Sequence, residues 1–194
     1  MTNSGVKYPT VFMDVDGVLS DLFGAIYKSH GKVYSPDNPE CPEGEAGYYV
    51  AEALGVSFED LWTPYTEDYV RNMNKLPEAD AIMDIVNIPD RKWNIAFLTQ
   101  SLSERLNGKY DWLGRYYPNI PRILTDVKTF CCNGVGSLLI DDCDQNVREW
   151  ERWGGYPILF PRRWNSRHDE IEEYFPDKFV EEFYGWVSLV EAVS

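Results

Sequence analysis

Residues 10–21 read TVFMDVDGVLSD, which puts Asp14, Asp16 and Asp21 within eight residues, directly after an apolar run. Far along the chain, residues 138–144 read LLIDDCD, a second apolar run that ends in the paired carboxylates Asp141 and Asp142. Carboxylates that converge repel one another unless they are protonated or neutralised by a cation. Ligation by oxygen alone, without histidine or a pair of cysteine motifs, favours Mg²⁺ over zinc. An aspartate beside such a cation can attack phosphorus and form an aspartyl-phosphate that water then hydrolyses. A second aspartate two residues on can protonate the leaving oxygen and later activate water. A strand-end hydroxyl and a lysine can hold the phosphoryl oxygens, for which Thr99 and Lys128 are of the right type and order.

Each of these residues also has a plainer reading. Asp14 and Asp16 could lie in a solvated turn, Thr99 could cap a helix in competition with Ser101 or Ser103, and Lys128 could be a surface lysine. Asp142 could cap the helix after it, with Asp144 as a rival, and Asp21 reads as part of a solvated helix face. A calcium loop is rejected. DVDGVLSD has glycine at its fourth position rather than its sixth, and Ala25 stands where the twelfth-position glutamate belongs.

To bring these groups together, the chain needs strands that end side by side. PTVFMDV, KWNIAFLTQ, PRILT, GSLLIDD and GYPILF read as strands. Between them lie helical patterns from Val18 to about His30, in LPEADAIMDIVN, in SERLNGKYDWLGRYY (softened or broken at Gly108), in DQNVREWERWG and in the closing FVEEFYGWVSLVEAV. Alternation of this kind implies an α/β, Rossmann-like, mainly parallel sheet, with ligands at the carboxyl ends of its strands. Residues 31–76 break the alternation. A loop rich in proline and glycine precedes short helices there, one of them capped by Ser57. We expect a core of residues 1–30 and 77–194, with 31–76 as a small helical cap.

The remaining polar and aromatic residues are read more plainly. His30 and His168 are expected at the surface. Cys131 and Cys132 are expected to pack as small residues, and Trp112, Trp150, Trp153 and Trp186 to pack on the sheet. Trp164 follows the last strand, where it either borders a ligand or covers the edge of the core. Phe23, Trp62 and Tyr65 could line a base-binding pocket or belong to the core.

Composition narrows the partners. The chain has 194 residues and a formal charge of −14, with no basic block, so duplex nucleic acid is a poor partner. Cys41, Cys131, Cys132 and Cys143 form no zinc-type spacing. The first residues lack a signal-like apolar stretch, and no run reaches the ~18 apolar residues of a membrane span. A cytoplasmic location is expected, and monomer or homodimer stays open.

The four motifs together resemble the haloacid dehalogenase-like phosphatases. DVDGVLSD matches their first motif, IAFLTQS the second, Lys128 in LTDVKTF the third, and LLIDDCD the fourth. Within that superfamily the sequence is most similar to the 5'(3')-deoxyribonucleotidases, through GKYDWLGRYYP, TDVKT, YPILFPRRWN and the closing tryptophan-containing helix. The likeness covers about residues 80–194 and 9–24 and is weak across the cap. It implies Mg²⁺-dependent removal of phosphate from deoxyribonucleoside monophosphates. It also implies Asp14 as nucleophile, Asp16 as acid/base with its carbonyl on the metal, Asp141 as a further ligand and Asp142 behind it. Thr99, Lys128, Gln100 and Lys109 would serve the phosphoryl group. TQS replaces the family's usual Thr-Ser-Pro, so either Gln100 or Ser101 takes the serine's place. A phosphatase for a sugar phosphate, and a catalytically silent metal- or nucleotide-binding module, are the alternatives.

Overall fold

A computed structural model describes residues 8–35, 41–44, 49–100 and 106–193. Among them, five strands form one sheet in the order β3-β2-β1-β4-β5, every pair parallel. They are β1 (Thr10–Met13), β2 (Asn94–Thr99), β3 (Arg122–Leu124), β4 (Ser137–Asp141) and β5 (Tyr156–Leu159). From β1 the chain builds outward through β2 and β3, then returns to add β4 and β5 on the other side. The strand order therefore reverses between β1 and β4, where open α/β sheets bind their ligands.

The side-chain period of two assigns residues to the two faces. Val11, Met13, Ile95, Phe97, Leu138, Ile140 and Ile158 join the main core. That core also takes side chains from α5 (Ala79–Val86), α6 (Leu106–Tyr116) and α9 (Phe179–Val193). Phe12, Ala96, Leu98 and Leu139 face the other way and pack under Trp150 of α7 (Asp144–Arg152). The Trp150 indole donates to the Ser137 carbonyl at 3.0 Å, so the buried N–H is satisfied. Trp112 and Trp186 are buried as expected, but Trp153 is exposed, because α7 ends at Arg152 and the chain turns there through Gly154. Before α9 come a short turn α8 (Ile171–Glu173) and a π-helical segment, neither of which the sequence pattern announced.

The segment between β1 and α5 holds α1 (Leu22–Ser29), α2 (Val50–Leu54), α3 (Phe58–Trp62) and α4 (Glu67–Arg71). It divides between two apolar clusters. Phe23, Ile26 and Tyr27 of α1 pack with Val50, Leu54 and Leu61, whereas Tyr65, Val70 and Met73 belong to the main core. Ser57 caps α3 as expected, accepting from the Asp60 amide at 3.0 Å.

Two helix expectations are corrected. The first helix begins at Leu22, not Val18, because Val18 and Leu19 lie in a buried turn closed by amides of Leu19 and Ser20 on the Val15 carbonyl. Asp21 is therefore no bystander on a helix face; its carboxylate caps α1 by accepting from the Gly24 amide at 2.9 Å. Gly108 does not break α6. A Cβ there would lie 2.3 Å from the Glu67 carbonyl oxygen, so the glycine lets α6 approach the backbone of α4.

Candidate active site

Both acidic strand ends arrive where the strand order reverses. Met13 of β1 pairs with Ile140 of β4, so Asp14 and Asp141 leave the sheet side by side. Oxygens of Asp14, Asp141 and Asp142 come within 4.8 Å of one another, and all three residues are buried. Gly17 makes this approach geometrically tolerable. Its φ of +75° turns the chain sharply, and a Cβ there would sit 2.0 Å from Asp142 Oδ2.

Lys128 enters from a 3₁₀ turn (Lys128–Cys131) after β3. Its Nζ lies 3.0 Å from Asp14 Oδ2 and 2.7 Å from Asp141 Oδ2. Burial alone would lower the lysine's pKa, but Asp14 and Asp141 more than offset this and hold it above its ordinary value. Asp141 also accepts from the Cys143 amide at 2.9 Å and from Asn146 Nδ2 at 3.1 Å. One lysine does not neutralise three carboxylates. Burial pushes Asp14 up to about 6, with Lys128 opposing and Asp141 and Asp16 reinforcing the rise. Burial, then Asp141 and Asp14, also raise Asp142 well above the carboxylate range. Asp14 Oδ1, in addition, is a buried oxygen with no hydrogen-bond partner among the described residues. An oxygen in this state suits a cation or an electrophile.

Asp16, two residues beyond Asp14, is held differently. It accepts from Ser20 Oγ at 2.8 Å and from the buried Nζ of Lys109. Lys109 also reaches the Gln100 carbonyl at 3.0 Å and Thr99 Oγ1 at 3.4 Å. Thr99, Lys109 and Asp16 thus form a second group beside the first. Gln100 meets this group by its backbone carbonyl; its side-chain amide donates to the Asp126 carbonyl at 3.0 Å. Ser101 and Ser103 lie outside the described residues.

Neither Asp142 nor Asp144 caps α7 with its side chain. Asp144 accepts instead from the Ser166 amide at 3.1 Å, and Asp142 accepts from Trp164 Nε1 at 2.6 Å. Trp164 is buried, and its ring stacks on Phe23 with centroids 3.9 Å apart. Phe23 therefore reaches the acidic cluster through Trp164, while Trp62 and Tyr65 meet edge to face at 5.6 Å beside the main core. The histidines are half-buried rather than fully at the surface. His30 Nε2 lies 3.2 Å from the Leu61 carbonyl, and His168 Nδ1 lies 3.1 Å from that of Asn165.

Residues after β5 carry structure that motif reasoning missed. Arg162 donates to the Gly17 carbonyl and pairs with Glu78. Asn165 Nδ2 donates to the carbonyls of Asp142 and Phe160 at 2.9 and 2.8 Å. In the sequence this loop stood out only as the landmark YPILFPRRWN and as the tryptophan after the last strand; the contacts of Arg162 and Asn165 left no signal.

Solved structures with the same fold include a hydrolase from Streptococcus pneumoniae TIGR4, with a TM-score of 0.50 at 11% identity over 84% of this chain and 98% of that one. A dehalogenase gives 0.53 at 13% identity, over 83% and 88%. CbbY from Rhodobacter sphaeroides, solved in complex with phosphate, gives 0.50 at 11%, over 86% and 91%. No curated protein matches the sequence significantly. Among the described residues, no helix is long and apolar enough to cross a membrane. A family model described as "5' nucleotidase, deoxy (Pyrimidine), cytosolic type C protein" matches residues 8–176, a span that runs from β1 past both acidic strand ends and the RRWN loop. The chain belongs to that nucleotidase family of haloacid dehalogenase-like phosphatases, and it is a phosphoric monoester hydrolase.

Proposed function

We propose that this protein hydrolyses deoxyribonucleoside 5'-monophosphates with Mg²⁺, through an aspartyl-phosphate on Asp14. The observation that carries the reading is the buried Oδ1 of Asp14, which has no hydrogen-bond partner among the described residues and is set among three carboxylates beside Lys128. All the donors are oxygens, which suits a hard cation. Asp14 and Asp141 would hold Mg²⁺ together with the Asp16 carbonyl, and Asp142 would stand beside them. Bound there, the ion would offset charge on the phosphoryl oxygens.

The chain's own groups supply the rest. A carboxylate oxygen of Asp14 attacks phosphorus, and the bond from phosphorus to the ester oxygen breaks. Asp16, held by Ser20 and Lys109, gives its proton to the departing alkoxide. Asp16 then takes a proton from water as that water attacks the aspartyl-phosphate, which releases phosphate and restores Asp14. Lys128 and Thr99 hold the phosphoryl oxygens, and Lys109 adds positive charge nearby. Residues 31–76 act as the cap over the core of residues 1–30 and 77–194, closing over the nucleoside and excluding bulk water. Phe23, Trp62 and Tyr65 are its candidate aromatic contacts. The cytoplasm is the proposed compartment, in keeping with the cytosolic type in the family's description and with four free cysteines.

The test is phosphate release across nucleoside monophosphates and sugar phosphates, with Mg²⁺ and with a chelator. The expected result is preference for dUMP or dTMP and loss of turnover on chelation. Equal turnover of sugar phosphates, or activity indifferent to chelation, would refute the corresponding part of the reading.

A further inference from the structure

The loop after β5 returns to the acidic cluster and grips it at several points. Arg162 donates to the carbonyl of Gly17, inside the first acidic motif, and Asn165 donates to the carbonyl of Asp142, inside the last. Asn165 is itself fixed, since its Oδ1 accepts from the amides of Arg162 and Arg167 at 3.2 and 3.1 Å. Trp164 sits between these anchors, 4% exposed, with its N–H on Asp142 Oδ2 at 2.6 Å. Gly17 stands against that oxygen and against the indole, so close that a Cβ there would lie 2.0 Å from Asp142 Oδ2 and 3.0 Å from Trp164 Cζ2. Asp142 Oδ2 is thus packed against the Gly17 backbone and held there by an indole N–H.

The choice of indole is informative. An indole nitrogen donates one hydrogen bond and accepts none, so its partner must present an acceptor oxygen to it, which fixes one carboxylate orientation. Phe23 holds the ring in turn, stacked at 3.9 Å with 18° between the planes, and Tyr34 lies 5.9 Å from it. Packing alone would be served by phenylalanine. The buried N–H would then be unnecessary, and its partner here is a carboxylate of the candidate cation site.

We propose that Trp164 is a positioning residue that sets the cation affinity of this site by holding Asp142, with Phe23 holding Trp164. The inference rests on the Mg²⁺ reading above. Partners that orient a metal site's carboxylates typically change its affinity by about 10–100-fold.

The experiment titrates Mg²⁺ calorimetrically into substrate-free protein. Wild type is measured first, and failure to bind Mg²⁺ would refute the Mg²⁺ reading itself and this inference with it. Given wild-type binding, Trp164→Phe keeps a ring on Phe23 but removes the donor, and its Kd should rise by about tenfold or more while its circular dichroism spectrum stays that of the folded wild type. Trp164→His restores a ring N–H and should recover part of the loss. An unchanged Kd in Trp164→Phe, or equal weakening in both variants, would overturn the inference. A measurement on wild type alone covers the case in which the variants do not fold. The assigned Trp164 indole N–H resonance should shift during the Mg²⁺ titration with the calorimetric midpoint, and a resonance that stays in place would overturn the inference.

Discussion

Among the described residues, two clusters each set one base among three acids. Lys128 stands with Asp14, Asp141 and Asp142 at the ends of β1 and β4. Arg71 of α4 pairs with Glu67 at 2.9 Å, with Asp68, and with Asp111 of α6 at 2.8 Å. Their composition is nearly the same and their surroundings are opposite. The side chains of Asp111 and Asp68 are 55% and 85% exposed, so water and salt absorb their excess negative charge. Asp111 merely strengthens the guanidinium's hold on its proton. The side chains of Asp14 and Asp141 are 9% and 0% exposed, and their excess charge has no such outlet. An acidic surplus signals chemistry only where burial denies it water.

The largest expected effect breaks the buried cluster at its reactive atom. Asp14→Asn keeps the side chain's shape and should fold normally, yet kcat/KM should fall by about 10³-fold or more. Phosphate release measured beside the far-UV circular dichroism spectrum checks this, and a variant that keeps most of its activity removes Asp14 as nucleophile. Lys128→Met should come next. It leaves two buried carboxylates without their cation, which destabilises by about 3–5 kcal/mol and slows turnover by about 10²–10³-fold. Urea unfolding with and without Mg²⁺ reads the first effect, and the deficit should shrink when Mg²⁺ is present. Stability equal to wild type in chelator would mean that the lysine does not balance these charges.

The same contrast explains what could be read in the sequence. Asp14, Asp16, Thr99 and Asp141 could be placed together from the sequence because each lies at or just past the end of an apolar run, where a strand's register fixes its place, whereas Lys128, on a 3₁₀ turn beyond β3, was singled out by its type and order alone. The parallel sheet was legible for the same reason, through alternating runs of β-rich and helical pattern. Trp164 was read as bordering a ligand or covering the core edge, but its carboxylate partner was not, and neither were the roles of Asn165 and Arg162, since partners far away in sequence leave no periodicity. Gly108 was misread for a related reason. A glycine in a helical stretch looks like weakness until the Glu67 carbonyl is seen against it. Asp21 was missed as a cap because the buried turn through Val18 and Leu19 carries the same apolar residues that a helix would.

Gly108 joins the exposed cluster to the group beside the buried one and supplies a smaller effect. It packs α6 on α4, and its neighbour Lys109 reaches Asp16. On helix propensity alone, Gly108→Ala would stabilise by about 1 kcal/mol. Here the new Cβ meets backbone, so a loss of about 1–3 kcal/mol is expected. Turnover should fall with it as Lys109 is displaced. Thermal unfolding together with kcat reads both, and an alanine variant more stable than wild type would show that the two helices can part without strain.

The smallest effect belongs to the exposed cluster and is the sharpest check on the comparison. Arg71→Ala removes three ion pairs at once, more than any substitution in the buried cluster removes. A count of contacts would therefore rank it first. Exposure ranks it last, because solvent-exposed ion pairs gain little over hydrated charges. Turnover should stay within about twofold of wild type, as expected for a surface site away from the chemistry. Any fall in melting temperature should be small and should fade at about 1 M salt, where the screening length is roughly 3 Å. A deficit that persists at high salt would come from the arginine's aliphatic stem packing between α4 and α6 rather than from its charge. A tenfold loss of turnover would instead mean that the α4–α6 contact sets the position of Lys109, and that the exposed cluster belongs to the catalytic apparatus after all.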